Sequence, residues 1–513
     1  MMSCNIAQVI RHWAVSAPTR TAVTVLGQPR EVISYAALDE RARRAAARLI
    51  DEGFLPGDRI ALSMPNELGF LDAWFGGLYA GCTVLPVPPM SSAAELAQRI
   101  QHAGCKALIS SSALLAPGGL AHMALASCPG VRAIDAGELS QHAHAIDGPL
   151  AVSPESLALL LYTSGTTGTA KGAMITHASL GLHTAALVHH VLALSAQDRV
   201  LATLPLTHSY GIRMTLLAPF YAGASCVLLE RFGVEPVMDA LANERISWFP
   251  GVPTMFHALA HAPGAALEAP CLRWCLSAGA PLPRAVRLRA ESRLGVPVRQ
   301  GFGLTEATFS TIATPDDDGA EDTVGRPVFG VTLRIVDEHG QVLASGQRGE
   351  VCVRGQNVMA GYLDDPVASA AALRDGWLHS GDVGVLDEQG RLCIVDRIKD
   401  MVIRGGFNVY PAELEAVLVR HPAVRAAAVV GIPDERYGEE VLAAVVLHDG
   451  VALELVELAS FCRRELSRVK LPRLLARLGE LPVGASGKVM RREVRRRALA
   501  GELVLESLPY ERE

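Results

Sequence analysis

Residues Leu160–His177 read LLYTSGTTGTAKGAMITH. The apolar run Leu157–Tyr162 reads as a buried strand. It opens into Thr163-Ser164-Gly165-Thr166-Thr167-Gly168, with Thr169 just beyond, and Lys171-Gly172 close the loop. Glycines let a backbone approach a ligand closely and visit positive φ. Successive loop N–H groups and hydroxyls form an anion-binding concavity, and one lysine adds a point charge. The stretch therefore reads as a phosphate cradle. It is not a Walker A loop, because GxxxxGK[ST] cannot be aligned to it. Taken alone, a Ser/Thr/Gly-rich loop is as well a flexible linker.

The rest of the chain bounds the answer. Its 513 residues exceed one domain. Half are hydrophobic and 19% charged, which favours large cores over global disorder. A net charge of -6 gives no support for a nucleic-acid partner. The ten cysteines include no CxxC pair and read as reduced, mostly structural thiols of a cytoplasmic protein. The start, MMSCNIAQVIRHWAVSAPTR, lacks the long apolar core of a signal peptide. No uninterrupted apolar stretch is long enough to span a bilayer. Peripheral membrane association stays open.

Periodicity sets the organisation. Ser34–Gly53 reads as an amphipathic helix with Leu38, Ala42, Ala45, Ala46 and Leu49 on one face, Ser34 as its cap and Gly53 as its stop. Asp58–Pro65 reads as a strand. Helix and strand patterns then alternate to about residue 300, which predicts a layered α/β architecture. From Val324 short strands such as Val331–Val336, Glu350–Arg354 and Arg391–Asp396 alternate with turn signals, predicting a β-rich subdomain. After Arg397 come helix Pro411–Arg420, strands Ala426–Gly431 and Leu442–Leu447, and helix Leu453–Leu466, a small α+β unit. There is no low-complexity tract and no obvious internal repeat.

Further strings carry chemistry-bearing residues. Pro205–Gly211 reads PLTHSYG, with Arg213 just beyond. Alone, His208 is a satisfied, partly buried histidine, and an arginine in such a wall must pair or snorkel. Ser277–Pro283 reads SAGAPLP, alone an ordinary turn, and Gln300–Glu306 reads QGFGLTE. Trp377–Asp382 reads WLHSGD, and Arg397 follows in DRIKD. Asp382 alone caps a turn and Arg397 alone bridges a surface acid. Arg404–Pro411 reads RGGFNVYP, and Leu481–Arg492 reads LPVGASGKVMRR. Lys488 alone is a surface charge, and the basic run Arg491, Arg492, Arg495, Arg496 and Arg497 reads as a solvated helix face.

Together, and in this order, these strings resemble the motifs of the adenylate-forming superfamily, in its acyl-CoA synthetase or AMP-dependent acid–CoA ligase branch. The resemblance extends back to about residue 6. It implies a large N-terminal adenylation domain, residues 1–397, of two packed α/β sheets plus a β-rich subdomain. A small mobile α+β lid, residues 398–513, follows, with its hinge at Lys399. ATP, Mg²⁺ and CoA are the implied cofactors. Thr163, Ser164, Gly165, Thr166, Thr167, Gly168 and Lys171 would cradle the phosphates. Gly279 and Ala280 would lie against adenine, Gly301, Phe302 and Gly303 would present its flat apolar face, and Thr305 would donate to the α-phosphate. Glu306 would hold Mg²⁺, and Asp382 with Arg397 would hold the ribose. Many relatives carry Tyr where Phe302 stands; stacking survives that change, and one hydroxyl contact is lost. His208 would sit beside the reacting carboxylate, and Ser209, Tyr210, Arg213, Gly279 and Leu304 would line the acyl pocket. Arg213 departs from a wall that is usually apolar or amide-bearing, and its expected role is to meet a polar or anionic substrate group. Lys488 matches the mobile catalytic lysine, and Gly405, Gly406 and Phe407 the thiol tunnel. Tyr210, Phe309 and Trp248 line an acyl or aryl pocket or serve equally as core aromatics.

The implied chemistry has two half-reactions. A carboxylate attacks the α-phosphorus of ATP, giving acyl-AMP and pyrophosphate. The lid then rotates, and a thiol takes the acyl group. GGFNVYP and GVPTMFHAL, Gly251–Leu259, favour a fatty, medium- to long-chain, or aryl acid–CoA ligase. A ligase loading a carrier protein in secondary metabolism is the alternative. No carrier-protein serine motif follows residue 488, which is the expectation for a stand-alone enzyme. A non-catalytic nucleotide-binding relative is opposed by Glu306, Asp382, Arg397 and Lys488, and nothing here demands luciferase-type oxygenation. For the basic run, a CoA 3′-phosphate or a carrier-protein surface is the sharper alternative. The acid, and the choice of monomer or homodimer, are not legible.

Overall fold

The computed structural model describes residues 5–27, 29–163, 170–317, 323–484 and 489–510. The chain divides into two compact units. One is Met1–Leu333 with Val353–His379, the other Arg334–Cys352 with Ser380–Glu513.

The first unit is built on two sheets. One has nine strands, in the order Arg326–Pro327, Thr311–Ile312, Val298–Phe302, Trp274–Ala278, Trp248–Gly251, Arg199–Ala202, Ser225–Leu228, Thr21–Val25 and Glu31–Ser34. Its interior pairs are parallel, and short antiparallel strands close both edges. The other has seven strands, in the order Gly361–Tyr362, Lys171–Thr176, Leu157–Thr163, Thr83–Pro86, Arg59–Ser63, Ala107–Ser110 and Arg132–Asp135. Parallel strands require crossover helices, which cover the sheet faces.

Helix Tyr35–Asp51 lies on the nine-stranded sheet and helix Leu68–Tyr79 on the seven-stranded one, and the two helices pack together. The expected amphipathic helix is therefore present, capped where Ala37 N–H donates to Ser34 Oγ. Its apolar face, Leu38, Ala42, Ala45, Ala46 and Leu49, is buried. An ion pair crosses this layer, with Arg41 Nε donating to the buried Asp72 at 2.8 Å. Burial pushes the Asp72 carboxyl up, and Arg41 works against that rise.

In the second unit, Val424–Asp434 pairs antiparallel with Gly438–Leu447, which pairs parallel with Leu474–Arg477. Alternate residues face opposite sides of a strand. Val441, Ala443 and Val445 join one core with helices Pro411–Leu418 and Leu455–Glu465. Leu442 and Ala444 join another that includes Val494 of helix Arg491–Leu499. Burial of both faces explains why this run reads as continuously apolar. A further sheet holds Val331–Val336, Gly349–Gly355, Trp377–Leu386 and Leu392–Arg397.

The basic run keeps Arg492 and Arg496 exposed, while Arg491 is drawn into an ion-pair cluster. Arg491 donates to Glu415 at 2.8 Å, Asp396 at 3.1 Å and Asp400 at 3.2 Å. Arg495 pairs with Glu439, and Arg496 with Glu493 and Glu502. A charge run read in one dimension hides the acids that the fold brings to it. Among the described residues, no helix is long and apolar enough to cross a membrane.

Gly76 tests the helix layer. A Cβ there would stand 2.4 Å from Ala45 Cβ. Ala is the better helix former, yet overpacking should make Gly76→Ala less stable by about 1–3 kcal/mol. Denaturant unfolding checks this, and a more stable variant would remove the packing argument.

Candidate active site

The motifs converge because of strand direction. Arg199–Ala202, Trp248–Gly251, Trp274–Ala278 and Val298–Phe302 are neighbours in one sheet and run parallel. Each is followed at its carboxyl end by one string: the turn to His208, the GVPTMF turn, Gly279–Pro283, and Gly303–Glu306. Open α/β sheets bind ligands at the carboxyl ends of their strands. Trp248 stands at the amino end of its strand, fully buried against Trp274. It is a core aromatic.

His208 caps the short helix Ser209–Gly211, its Nδ1 accepting from Tyr210 N–H at 3.2 Å. The chain continues as a π-helix over Ile212–Leu217, a form frequent at functional sites. The buried Tyr210 donates its hydroxyl to Leu276 O at 2.8 Å, tying this helix to the strand that precedes Gly279. Its ring meets Phe309 edge-on, with centroids 5.0 Å apart. Phe309 carries the left-handed φ of 48°, and its carbonyl accepts from His183 Nε2 at 3.1 Å. Gly303 is required here, since a Cβ would lie 2.2 Å from Phe309 N. At Gly301 the contact would be tight but milder, 3.1 Å to the Phe309 ring and 3.2 Å to Thr311 O. Ser209 is buried, Phe302, Leu304, Thr305 and Glu306 are half-buried, and Ala280 is exposed.

A second convergence joins the phosphate strand to the acid. Thr163 and Lys171 face each other across the pair of strands Leu157–Thr163 and Lys171–Thr176. Residues 358–363 run beside both: Met359 N–H donates to Glu306 O, and Leu363 N–H to Gly172 O, each at 2.8 Å. Tyr362 sits between. Its hydroxyl donates to Glu306 Oε1 at 2.8 Å, and Lys171 Nζ stands 5.2 Å from its ring centroid. Burial, and then the Glu306 carboxylate, push the Tyr362 phenol far above its ordinary value, so it keeps its proton and donates. The bond engages one Glu306 oxygen. A half-buried carboxylate with a second oxygen, held beside the phosphate strand, fits a hard divalent cation. Tyr362 was not legible in the sequence, because one aromatic in AGYLDD carries no periodic or motif signal.

In the second unit, Asp382 and Arg397 are cross-strand partners, with Arg397 Nε 2.9 Å from Asp382 Oδ1. Asp382 is buried, and Arg397 is partly exposed. Lys399 lies in the turn Ile398–Asp400. Gly405 and Gly406, with φ of 56° and 82°, form the two-residue turn of the hairpin Val402–Arg404 and Phe407–Val409. Both positions require positive φ, which is the turn's own reason for glycine. Phe407 is exposed beside them. Ser164, Gly165, Thr166, Thr167, Gly168 and Lys488 lie outside the described residues.

The AMP-binding enzyme family matches residues 10–363, and the AMP-binding enzyme C-terminal domain matches residues 413–488. The chain belongs to this family. It is 36% identical over 470 residues to a feruloyl-CoA synthase of Amycolatopsis sp, covering 91% of this chain and 94% of the relative. It is 32% identical over 510 residues to an oxalate–CoA ligase of Arabidopsis thaliana, covering 96% and 98%. Among solved structures, ATP-bound MatB from Rhodopseudomonas palustris superposes with a TM-score of 0.90 at 29% identity, covering 96% of this chain and 99% of that one. The expected superfamily, branch and fold class are thereby met. The protein is an AMP-forming acid–CoA ligase that uses ATP, Mg²⁺ and CoA.

Tyr362→Phe tests the Glu306 anchor. Loss of a hydrogen bond to a charged group should lower kcat/KM for ATP in ATP–pyrophosphate exchange by about 10-fold. Global stability should change little. An unchanged rate across Mg²⁺ concentrations would remove Tyr362 from the site.

Proposed function

We propose that this ligase activates a chain or aryl carboxylic acid, with its own residues divided between the two half-reactions as follows. Lys171, Thr163 and the loop Ser164–Gly168 hold the ATP phosphates, and Thr305 donates to the α-phosphate. Glu306, oriented by Tyr362, holds Mg²⁺, which neutralises phosphate charge when bound. Phe302 offers adenine a flat apolar face, with Gly279, Ala280, Gly301 and Gly303 leaving space. Asp382 accepts from the ribose hydroxyls and Arg397 orients it. His208 stands by the reacting carboxylate, and Lys488 meets both reacting groups. Ser209, Tyr210, Arg213, Gly279 and Leu304 receive the acyl part.

The alignment of four strand ends in one sheet, with Glu306 bonded to Tyr362 beside Lys171, carries this reading. Positioning plus charge neutralisation is the main source of rate in phosphoryl and adenylyl transfer. For the second step the lid 398–513 turns about Lys399 and brings Gly405, Gly406 and Phe407 to the thiol. The relatives named for ferulate and oxalate differ widely in their acids, so the family alone does not set the pocket. Cys82, Cys105, Cys128, Cys226, Cys271, Cys275 and Cys462 are free thiols, in keeping with a cytoplasmic enzyme.

A pyrophosphate-release assay over fatty, dicarboxylic and aryl acids, with and without CoA, tests the reading. Release should depend on the acid, rise with CoA, and fall by about 100-fold or more in Lys488→Ala, as for loss of a group acting on developing charge. Asp382→Asn should mainly raise KM for ATP. Release that CoA leaves unchanged would turn the assignment to a carrier-protein acceptor.

A further inference from the structure

Arg213 is a buried cation with no counterion among the described residues. It lies five residues beyond His208, in the π-helical stretch Ile212–Leu217, and is 2% exposed. Its Nη1 donates to Leu180 O at 3.3 Å, a long bond. Other arginines of this unit, such as Arg199 and Arg273, meet carboxylates; Arg213 forms no ion pair among the described residues. A guanidinium carries five N–H donors, and one neutral carbonyl leaves most of that capacity unused. Burial pushes its pKa down to about 9, which still leaves it charged at neutral pH.

The described neighbouring groups supply no negative charge. His183 is fully buried, and its Nε2 faces the Phe309 carbonyl, which can only accept, so Nε2 carries the proton. Burial, and then the charge of Arg213, hold the imidazole neutral. Its Nδ1 has no hydrogen-bond partner. Tyr210 has spent its hydroxyl on Leu276 O and Gly251 O. An arginine kept only for packing is poorly explained, since apolar residues fill such a place without burying charge. The helix that carries Arg213 begins at the His208 turn, and its Tyr210 touches Phe309, three residues past Glu306.

We propose that Arg213 is the specificity-determining residue of the acyl pocket and receives a second anionic group, carboxylate or sulfonate, on the acyl part of the substrate. This rests on the placement of the acid beside His208. The reacting carboxylate is consumed at one end, and the second anion neutralises Arg213 at the other. A charge-assisted, two-pronged contact suits arginine in particular.

The test compares wild type, Arg213→Met and Arg213→Lys on acids that differ only at the far end. Suberate, 8-hydroxyoctanoate and octanoate form one set, and terephthalate and 4-methylbenzoate another. The readouts are acid-dependent pyrophosphate release and CoA thioester formation, with thermal unfolding of each variant. Wild type should favour the carboxylate-ended acids. In Arg213→Met the kcat/KM ratio of carboxylate- to methyl-ended acid should fall about 100-fold, as for removal of one partner of a buried charge pair. Arg213→Lys should retain part of it. A structural arginine would instead lower the unfolding temperature and slow all acids alike with the ratio unmoved, which overturns the proposal. Wild-type preference for the hydroxyl- or methyl-ended acids overturns it too, while leaving the ligase assignment standing. Failure of every acid would defeat both.

Discussion

Four parallel strands of one sheet, Arg199–Ala202, Trp248–Gly251, Trp274–Ala278 and Val298–Phe302, end at the same edge, and the site depends on that edge. Parallel pairing makes each strand deliver its following loop to one place. The strings at 205–213, 279–283 and 303–306 are far apart in the chain. They meet because Tyr210 bonds the Leu276 carbonyl and stacks edge-on against Phe309. Each contact is backbone-anchored, so the loops hold their positions before any ligand arrives, which is the requirement for preorganised catalysis.

The second constraint is the return of residues 358–363 along the phosphate strand. Two backbone hydrogen bonds bind that segment to Glu306 and Gly172. Tyr362 then sits where its hydroxyl aims the Glu306 carboxylate and its ring faces Lys171. One tyrosine thus couples Glu306, just past the strand Val298–Phe302 of one sheet, to Lys171 of the other.

The second unit follows the same logic with ion pairs. Arg491 draws Glu415, Asp396 and Asp400 together. Asp396 also accepts from the Ala412 N–H at the start of helix Pro411–Leu418. These charges flank Lys399 on both sides in sequence. Residues 380–397 belong to the same compact unit as the C-terminal part.

Local pattern alone determined much of this protein. Ser34 as a cap, the apolar face from Leu38 to Leu49, and the strand leading into Thr163 follow from side-chain periodicity and capping chemistry, which act over a few residues. The family resemblance implied a shared site for Asp382 and Arg397, and antiparallel register makes them cross-strand partners. Tertiary structure decided what depends on distant residues. It made Tyr362 the partner of Glu306, 56 residues away. It paired the arginines of 491–497 with acids, consigned Trp248 to the core, and assigned the glycines at 405 and 406 to a tight turn. It also left Arg213 buried with no acid beside it among the described residues. A single sequence specifies which residues carry charge. Only the fold specifies how much water each keeps and which partner replaces it, and those two quantities set the chemistry.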